Sequence, residues 1–324
     1  MKIALMFYLY IFIFIASCAL LFLSGSWLTS ALMKMAHFLG WREFVVAFFV
    51  MAFAGTVPNL FIGINSVLHQ VPQLSLGDVV GGNLVDLTLV VALATLLGGA
   101  TLPAKSRMVQ TSTIFTASIA FLPLLLIIDG KMGRGDGLVL LLSFVFYLIW
   151  LFSKKERFRK VYPNSGQKVL EQSRAFFKTI AIILLSLLLL LLASEGVVRS
   201  ARYFALSFNL SLPLIGVFLI GIGNSLPEAY FAIASAKKGQ TWMILGNLMG
   251  NVIVPSTMVL GLVALISPFQ IPALPLFLVA RIFLGLAAVF FFIVLKTGQK
   301  ITRKEAIFLL LLFLLFIAVT ILIR

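Results

Sequence analysis

Ala54-Gly55-Thr56-Val57-Pro58-Asn59 returns 169 residues later as Gly223-Asn224-Ser225-Leu226-Pro227-Glu228. Nineteen residues beyond each proline stands a pair of glycines, Gly77 and Gly81 in the first copy and Gly246 and Gly250 in the second. At the same offset Ile64 matches Ile233, Ser66 matches Ser235, Leu76 matches Leu245 and Thr88 matches Thr257, with no gap. Both copies lie in apolar surroundings. A duplicated apolar segment interrupted by Gly and Pro, at corresponding positions of two halves, marks the binding site of a secondary transporter. The reading is of a helix broken twice.

The rest of the chain fits a lipid environment. It is 62% hydrophobic and 11% charged, with a mean hydropathy of +1.16, more apolar surface than a water-soluble domain of this length can hide. A single cysteine, Cys18, excludes a disulfide framework and a thiolate metal cluster, and two histidines, His37 and His69, are too few for a His-rich centre. Ten apolar runs are long enough to span a bilayer: about 3–24, 43–68, 76–98, 108–128, 136–153, 176–197, 211–236, 242–266, 272–295 and 304–323. Ser17-Cys18 resembles a lipoprotein cleavage box, but cleavage there would destroy the first span, and a plain helix is the simpler reading. Asn209-Leu210-Ser211 is a sequon, a weak pattern by itself.

Basic residues set the orientation. With the N-terminus outside, 18 of the 25 lysines and arginines fall in inner loops and six outside, while Arg281 lies within a span, open between snorkelling and pairing. Both termini are thus expected outside a multi-pass cell-membrane protein. The net charge of +15 is spread over short loops, which points to lipid head groups as partners and away from nucleic acid. The most basic stretch divides the chain. Residues 1–153 form a first five-helix repeat carrying the duplicated segment at about 43–98. A basic cytoplasmic linker follows at 154–175. Residues 176–324 form a second five-helix repeat, with its copy at about 211–266. Because five is odd, the halves enter the membrane with opposite orientations. The expected fold is all-α: ten transmembrane helices in two inverted repeats.

Charge inside a bilayer is costly and needs an explanation. Of the ten acidic residues, eight read as lying near helix ends: Glu43, Asp78, Asp129, Asp136, Glu156, Glu171, Glu195 and Glu305. Asp86 and Glu228 fall at mid-span, both in the duplicated segments. Their surroundings suit a cation. Pro58, Pro227 and Pro255 lack the N–H that would bond the carbonyls of Ala54, Gly223 and Asn251, and carbonyls freed at this depth are tolerated where they line a cavity. Thr56 and Asn59 share a helical face, as do Ser225 and Glu228. Gly82 and Asp86, and likewise Asn247 and Asn251, are four apart. The small glycines permit close helix approach. Each feature has a plainer reading: kinks are common in membrane helices, Ser and Thr back-bond to their own helix, Asn can join helices, and a carboxylate can stay protonated or pair with a base. Their coincidence in one segment type, twice, favours an ion site.

These residues resemble the alpha-repeats of the sodium/calcium exchangers in the calcium/cation antiporter superfamily, whose pattern is Gly-Thr-Ser-Leu-Pro-Glu followed by Gly-Asn-x-x-Gly-Ser-Asn-x-x-Asn or Asp. Asn224-Ser225-Leu226-Pro227-Glu228 and Gly246-Asn247-Leu248-Met249-Gly250-Asn251 carry it in one half. Thr56-Val57-Pro58-Asn59 and Gly77-Asp78-Val79-Val80-Gly81-Gly82-Asn83-Leu84-Val85-Asp86 carry it in the other. The resemblance covers essentially the whole chain and is to a divergent prokaryotic-type member. It implies ion ligands at Gly55, Thr56, Asn59, Gly82 and Asp86, and at Asn224, Ser225, Glu228, Asn251 and Pro255, with Asp86, Glu228 and Asn59 holding calcium or sodium. Asn59 stands where the family has a glutamate, Pro255 replaces an Asp or Asn, and Gly82 removes a hydroxyl. The implied activity is sodium/calcium antiport by alternating access, with inorganic cations as cargo, no cofactor and no enzymatic chemistry. A monovalent-cation or proton-coupled antiporter of the same fold stays open, as does a non-transporting or channel-like membrane protein. Nothing in the sequence sets the oligomeric state.

Overall fold

The computed structural model describes residues 2–38, 51–99, 101–105, 107–152, 169–239, 241–271 and 275–323. The chain is nearly all helical over these residues. Its long elements are α1 (Lys2–Phe38), α2 (Met51–Leu68), α3 (Gln73–Gly98), α4 (Arg107–Leu126), α5 (Arg134–Phe152), α6 (Val169–Phe208), α7 (Leu212–Lys237), α8 (241–266), α9 (Pro275–Thr297) and α10 (Arg303–Ile323). Among the described residues nine helices are long and apolar enough to cross a membrane, and Gly55–Leu68 within α2 is a shorter apolar helix. The start of the span read at 43–68 lies outside the described residues, as do Glu43, Glu156 and most of the linker read at 154–175; α6 already begins at Val169, within that linker.

Two helices run well beyond their expected ends. α1 has 37 residues and α6 has 40, so α1 is about 55 Å long at 1.5 Å per residue, far more than the roughly 30 Å apolar core of a bilayer. The apolar run in α1 stops at Ser24-Gly25-Ser26, yet the helix continues. Gly25, Ser26, Thr29 and Ser30 instead line a cavity: their polarity marks what they face and not a helix end. α1 and α6 pack along each other, with Tyr10 stacked on Tyr203 at 4.0 Å between ring centroids and Ser17 pressed against Gly196.

The other helices form a core centred on α3 and α8, the most buried of the spans. Four two-residue strands tie the core's loops together: β1 (Leu102–Pro103), β2 (Lys131–Met132), β3 (Phe269–Gln270) and β4 (Lys300–Ile301). β1 pairs antiparallel with β4, matching Leu102 with Ile301; β2 pairs with β3, matching Lys131 with Gln270. Shifted by the repeat offset, β2 falls on β4 and β1 falls close to β3. Each half therefore lends one loop to a pair at one end of α4 and α9, and another loop to a pair at the other end. That exchange is what an inverted repeat requires of its loops.

Within the core, α3 and α7 meet backbone to backbone. A Cβ on Gly77 would overlap the Pro213 carbonyl, and one on Gly81 would overlap the Val217 carbonyl. From the other side, a Cβ on Gly221 would lie 2.7 Å from Gly82 N. Here the small residues admit a separation that no side chain permits. Arg281, on α9, donates from Nη2 to the Leu124 carbonyl at 2.9 Å. The group thus serves a backbone carbonyl near the C-terminal end of α4, where a cation also complements the helix dipole, and among the described ion pairs none includes Arg281.

Gly77→Ala is expected to destabilise the protein by about 1–3 kcal/mol, the usual cost of overpacking, because the obstructing atoms are backbone. Gly135 has nothing within 4 Å of a Cβ, so Gly135→Ala should leave the thermal unfolding midpoint in detergent unchanged. Equal midpoints for the two variants would refute the close approach of α3 and α7.

Candidate functional site

The two copies of the opening motif fold differently. In α2 the helix runs unbroken from Met51 to Leu68 with Pro58 inside it, so the first half is kinked at most, contrary to the twice-broken reading. In α7 the chain passes through a π-helical stretch, Gly216–Gly221, and the helix is then interrupted at the single residue Ser225, whose φ of −82° and ψ of −4° lie at the edge of the right-handed region and which still donates to the Gly221 carbonyl and accepts from Ala229 N. It restarts at Leu226 with Pro227 in the first turn, where a missing N–H costs nothing. Glu228 follows in that same turn, at the end of the helix that favours negative charge.

Two further π-helical stretches obey the repeat. One runs Asp86–Val90 in α3 and the other Pro255–Val259 in α8, each starting 169 residues from its twin. Such bulges insert an extra residue per turn and recur at functional sites. Asp86 is the first residue of one and Pro255 of the other. The proline is buried and contributes no side-chain oxygen, so only one of these two equivalent positions carries a carboxylate.

A pocket forms where α2, α3, α7 and α8 meet. It is lined by Gly55, Asn59, Val79, Gly82, Asn83, Asp86, Asn224, Ser225, Glu228 and Asn251. Of the ten ion ligands implied from sequence, the pocket brings together eight; Pro255 and Thr56, the latter buried and next in chain to Gly55, do not line it. The pocket measures about 10 Å³, room for one ion or water molecule and too small for an organic substrate. Asn224 donates from Nδ2 to Asn59 Oδ1 and to Asp78 Oδ1, both at 3.0 Å. Ser225 Oγ donates to the Gly82 carbonyl and Asn251 Nδ2 to Glu228 Oε1, each at 3.5 Å. Asn83 Nδ2 donates to Ser256 Oγ at 2.6 Å, one of two polar residues here that the sequence reading did not name.

The other is Asp78. It read as lying near a helix end, but α3 starts at Gln73 and packs so tightly on α7 that Asp78 is 1% exposed. The repeat offset held the signal that was missed: it pairs Asp78 with Asn247, which faces the approach to the pocket. Asp78 and Asp86 are buried and Glu228 is half-buried on the wall of the same pocket region, and as carboxylates the three would repel one another. Among the described residues none of them forms an ion pair with Lys, Arg or His. Asp78 Oδ2, Asp86 Oδ1, Glu228 Oε2 and Asn251 Oδ1 are buried without hydrogen-bond partners. Buried acceptors of this kind, at depth in a membrane helix, call for cations.

A cavity of about 430 Å³ leads to the pocket and shares Gly55, Asn59, Asn224 and Glu228 with it. Cys18, Gly25, Thr29 and Ser30 of α1 form one wall, and Tyr230, Phe231 and Ser235 of α7 another; Lys238 stands at the end of that wall.

Comparison with known proteins places this geometry in context. The family model described as sodium/calcium exchanger protein matches residues 9–153 and 178–322. The inner membrane protein YrbG of Escherichia coli is 27% identical over 71% of each chain. The sodium/calcium exchanger MaX1 of Methanosarcina acetivorans is 22% identical, over 87% of this chain and 89% of its own. Among solved structures, the sodium-calcium exchanger NCX_Mj superposes with a TM-score of 0.67 at 23% identity, covering 96% of this chain and 98% of that one. That likeness shows the fold.

A Cβ on Gly55 would lie 2.9 Å from Asn251 Oδ1, the free end of a side chain, so Gly55→Ala should fold normally while turning that amide away. The expected result is a cation affinity weakened about tenfold with an unchanged unfolding midpoint in ion-free detergent, measured by calorimetric titration and thermal shift. An unaltered affinity would remove Asn251 from the site.

Proposed function

The chain belongs to the sodium/calcium exchanger protein family, and we propose that within it this multi-pass membrane cation antiporter exchanges sodium for calcium at the pocket between α2, α3, α7 and α8. The observation that carries the reading is a water-sized pocket walled by Asp86 and Glu228 with no basic partner among the described residues. Volume selects a bare ion, and charge selects a cation. Calcium takes six to eight oxygens, often several of them anionic. Two carboxylates, the amide oxygens of Asn59, Asn224 and Asn251, the Ser225 hydroxyl and the Gly82 carbonyl supply that number. Sodium uses the same oxygens in smaller sets, so the two ions compete for one place. Competition for one site exposed alternately to two sides is sufficient for antiport.

The fold supplies the alternation. α1 and α6 form a pair beside the core, and α1 walls the cavity that leads to the pocket. At the opposite end α6 is fastened to α2: Asn65 Nδ2 donates to Ser194 Oγ at 2.6 Å, and His69 Nε2 lies 2.8 Å from the Glu195 carboxylate. In the orientation set by the basic loops, the cavity opens to the cytoplasm and the fastened end faces out. Both termini then lie outside and the linker at 154–175 inside. In the mechanism we propose, bound ions neutralise Asp86 and Glu228, and the α1–α6 pair then moves across the core to close one entrance and open the other. An empty, charged pocket opposes that movement, because the carboxylates would cross occluded and uncompensated. That penalty couples the two fluxes.

A second reading rests on Asn59 and Pro255, which leave the pocket itself with two carboxylates: the same fold would then exchange monovalent cations or protons. It predicts flux in the absence of sodium.

In proteoliposomes, Glu228→Gln and Asp86→Asn should each lower sodium-driven calcium uptake at least tenfold, and wild-type rates in either would end the assignment of that residue. A Thr29→Cys probe in a Cys18→Ser background should react with a membrane-impermeant maleimide from the cytoplasmic side. Labelling only from outside would reverse the orientation.

A further inference from the structure

Asp78 carries a buried carboxyl group that the exchange as described does not use. It sits in α3, 1% exposed, and it does not line the pocket that holds Asp86 and Glu228. One of its oxygens, Oδ1, accepts from Asn224; the other, Oδ2, is buried without a partner. Among the described residues no three Asp, Glu, His or Cys side chains gather at a spacing that would hold one metal ion. A single ion therefore cannot satisfy all three carboxylates as they stand. Nor does the protein answer the charge itself, since none of the described ion pairs includes Asp78.

A carboxylate only accepts hydrogen bonds. Asp78 thereby holds the Asn224 amide with its NH₂ turned toward Asp78 and Asn59, which leaves the Asn224 carbonyl oxygen for an ion. Asp78 is thus joined to the pocket through a shared ligand while standing outside it. The equivalent position of the other repeat is a neutral amide, Asn247, so this charge belongs to one half of the molecule only.

We propose that Asp78 is a specificity-determining residue of the exchange: its charge makes the occupied site carry one positive charge more than Asp86 and Glu228 would take, as an additional monovalent cation held with Asn224. This rests on the antiport reading above. Asp86 and Glu228 hold the ion in the pocket, while Asp78 sets how many charges accompany it and how Asn224 is presented.

The test is Asp78→Asn, which keeps the shape, removes the charge and installs the residue found at the equivalent position. The protein is reconstituted in proteoliposomes, and transported charge per calcium ion is read from simultaneous current and radiolabelled calcium uptake. The expected result is a shift of one elementary charge per calcium between wild type and Asp78→Asn, with the Hill coefficient for sodium lowered. Identical charge per calcium in the two proteins would overturn the proposal, as would be the case if Asp78 kept a proton throughout the cycle and served only as packing. If Asp78→Asn does not reach the membrane, Asp78→Glu replaces it: the charge per calcium should equal wild type while half-saturating sodium moves severalfold, and an unmoved sodium dependence would overturn the proposal. Absence of sodium-driven calcium uptake in the wild type itself would refute the antiport reading, an outcome distinct from failure of the Asp78 assignment.

Discussion

Backbone contact between α3 and α7 is the constraint from which the site follows. Each polar residue of the pocket has a short side chain: Asn, Asp, Ser, one Glu. Such groups bridge two helices only if the helices nearly touch. Gly77 and Gly81 on one side, and Gly216 and Gly221 on the other, remove the atoms that would hold them apart. Ser225 then reaches the Gly82 carbonyl, and Asn224 reaches Asp78 and Asn59 across helices that belong to different repeats. In lipid, where the hydrophobic effect between helices is weak, packing of this kind and the hydrogen bonds it permits are the main sources of association.

Electrostatics gives the contact its purpose. Asp78 and Asp86 are buried and Glu228 is half-buried, with no ion pair to any of them among the described residues, and an uncompensated charge at membrane depth is expensive. The protein reduces that cost in small ways, with Glu228 in the first turn of a helix and Asn251 donating to it. In the mechanism proposed above, the remainder falls to the transported ions, and a site unstable when empty and satisfied when filled would move only when loaded, as an exchanger must and a leak need not.

Much of this was legible in the chain. The offset of 169 residues located the pocket lining, because both copies keep the small and polar residues that an ion site needs. The count of apolar runs supplied the architecture, and basic residues in short loops supply the orientation proposed above. The failures have physical causes. Gly25, Ser26, Thr29 and Ser30 looked like the end of a span because hydropathy cannot tell a cavity wall from an interface. Pro58 looked like a break because a proline signature marks a missing N–H without fixing whether the helix stops there, and α2 runs on through it. Asp78 looked peripheral because distance from a predicted helix end is a poor measure of burial when that end packs against another helix.

The sequence alone determined that the chain spans a membrane, that it is a duplication, and that two of the carboxylates in the duplicated segments fall at mid-span. These are properties of composition and spacing, which no folding event alters. Only the tertiary structure decided that residues 165 apart, Asn59 and Asn224, share a hydrogen bond, that the pocket is no larger than one water molecule or small ion, and that the Asp78 carboxyl group is buried. Those depend on how closely two backbones approach, and that distance is set by atoms on both helices at once.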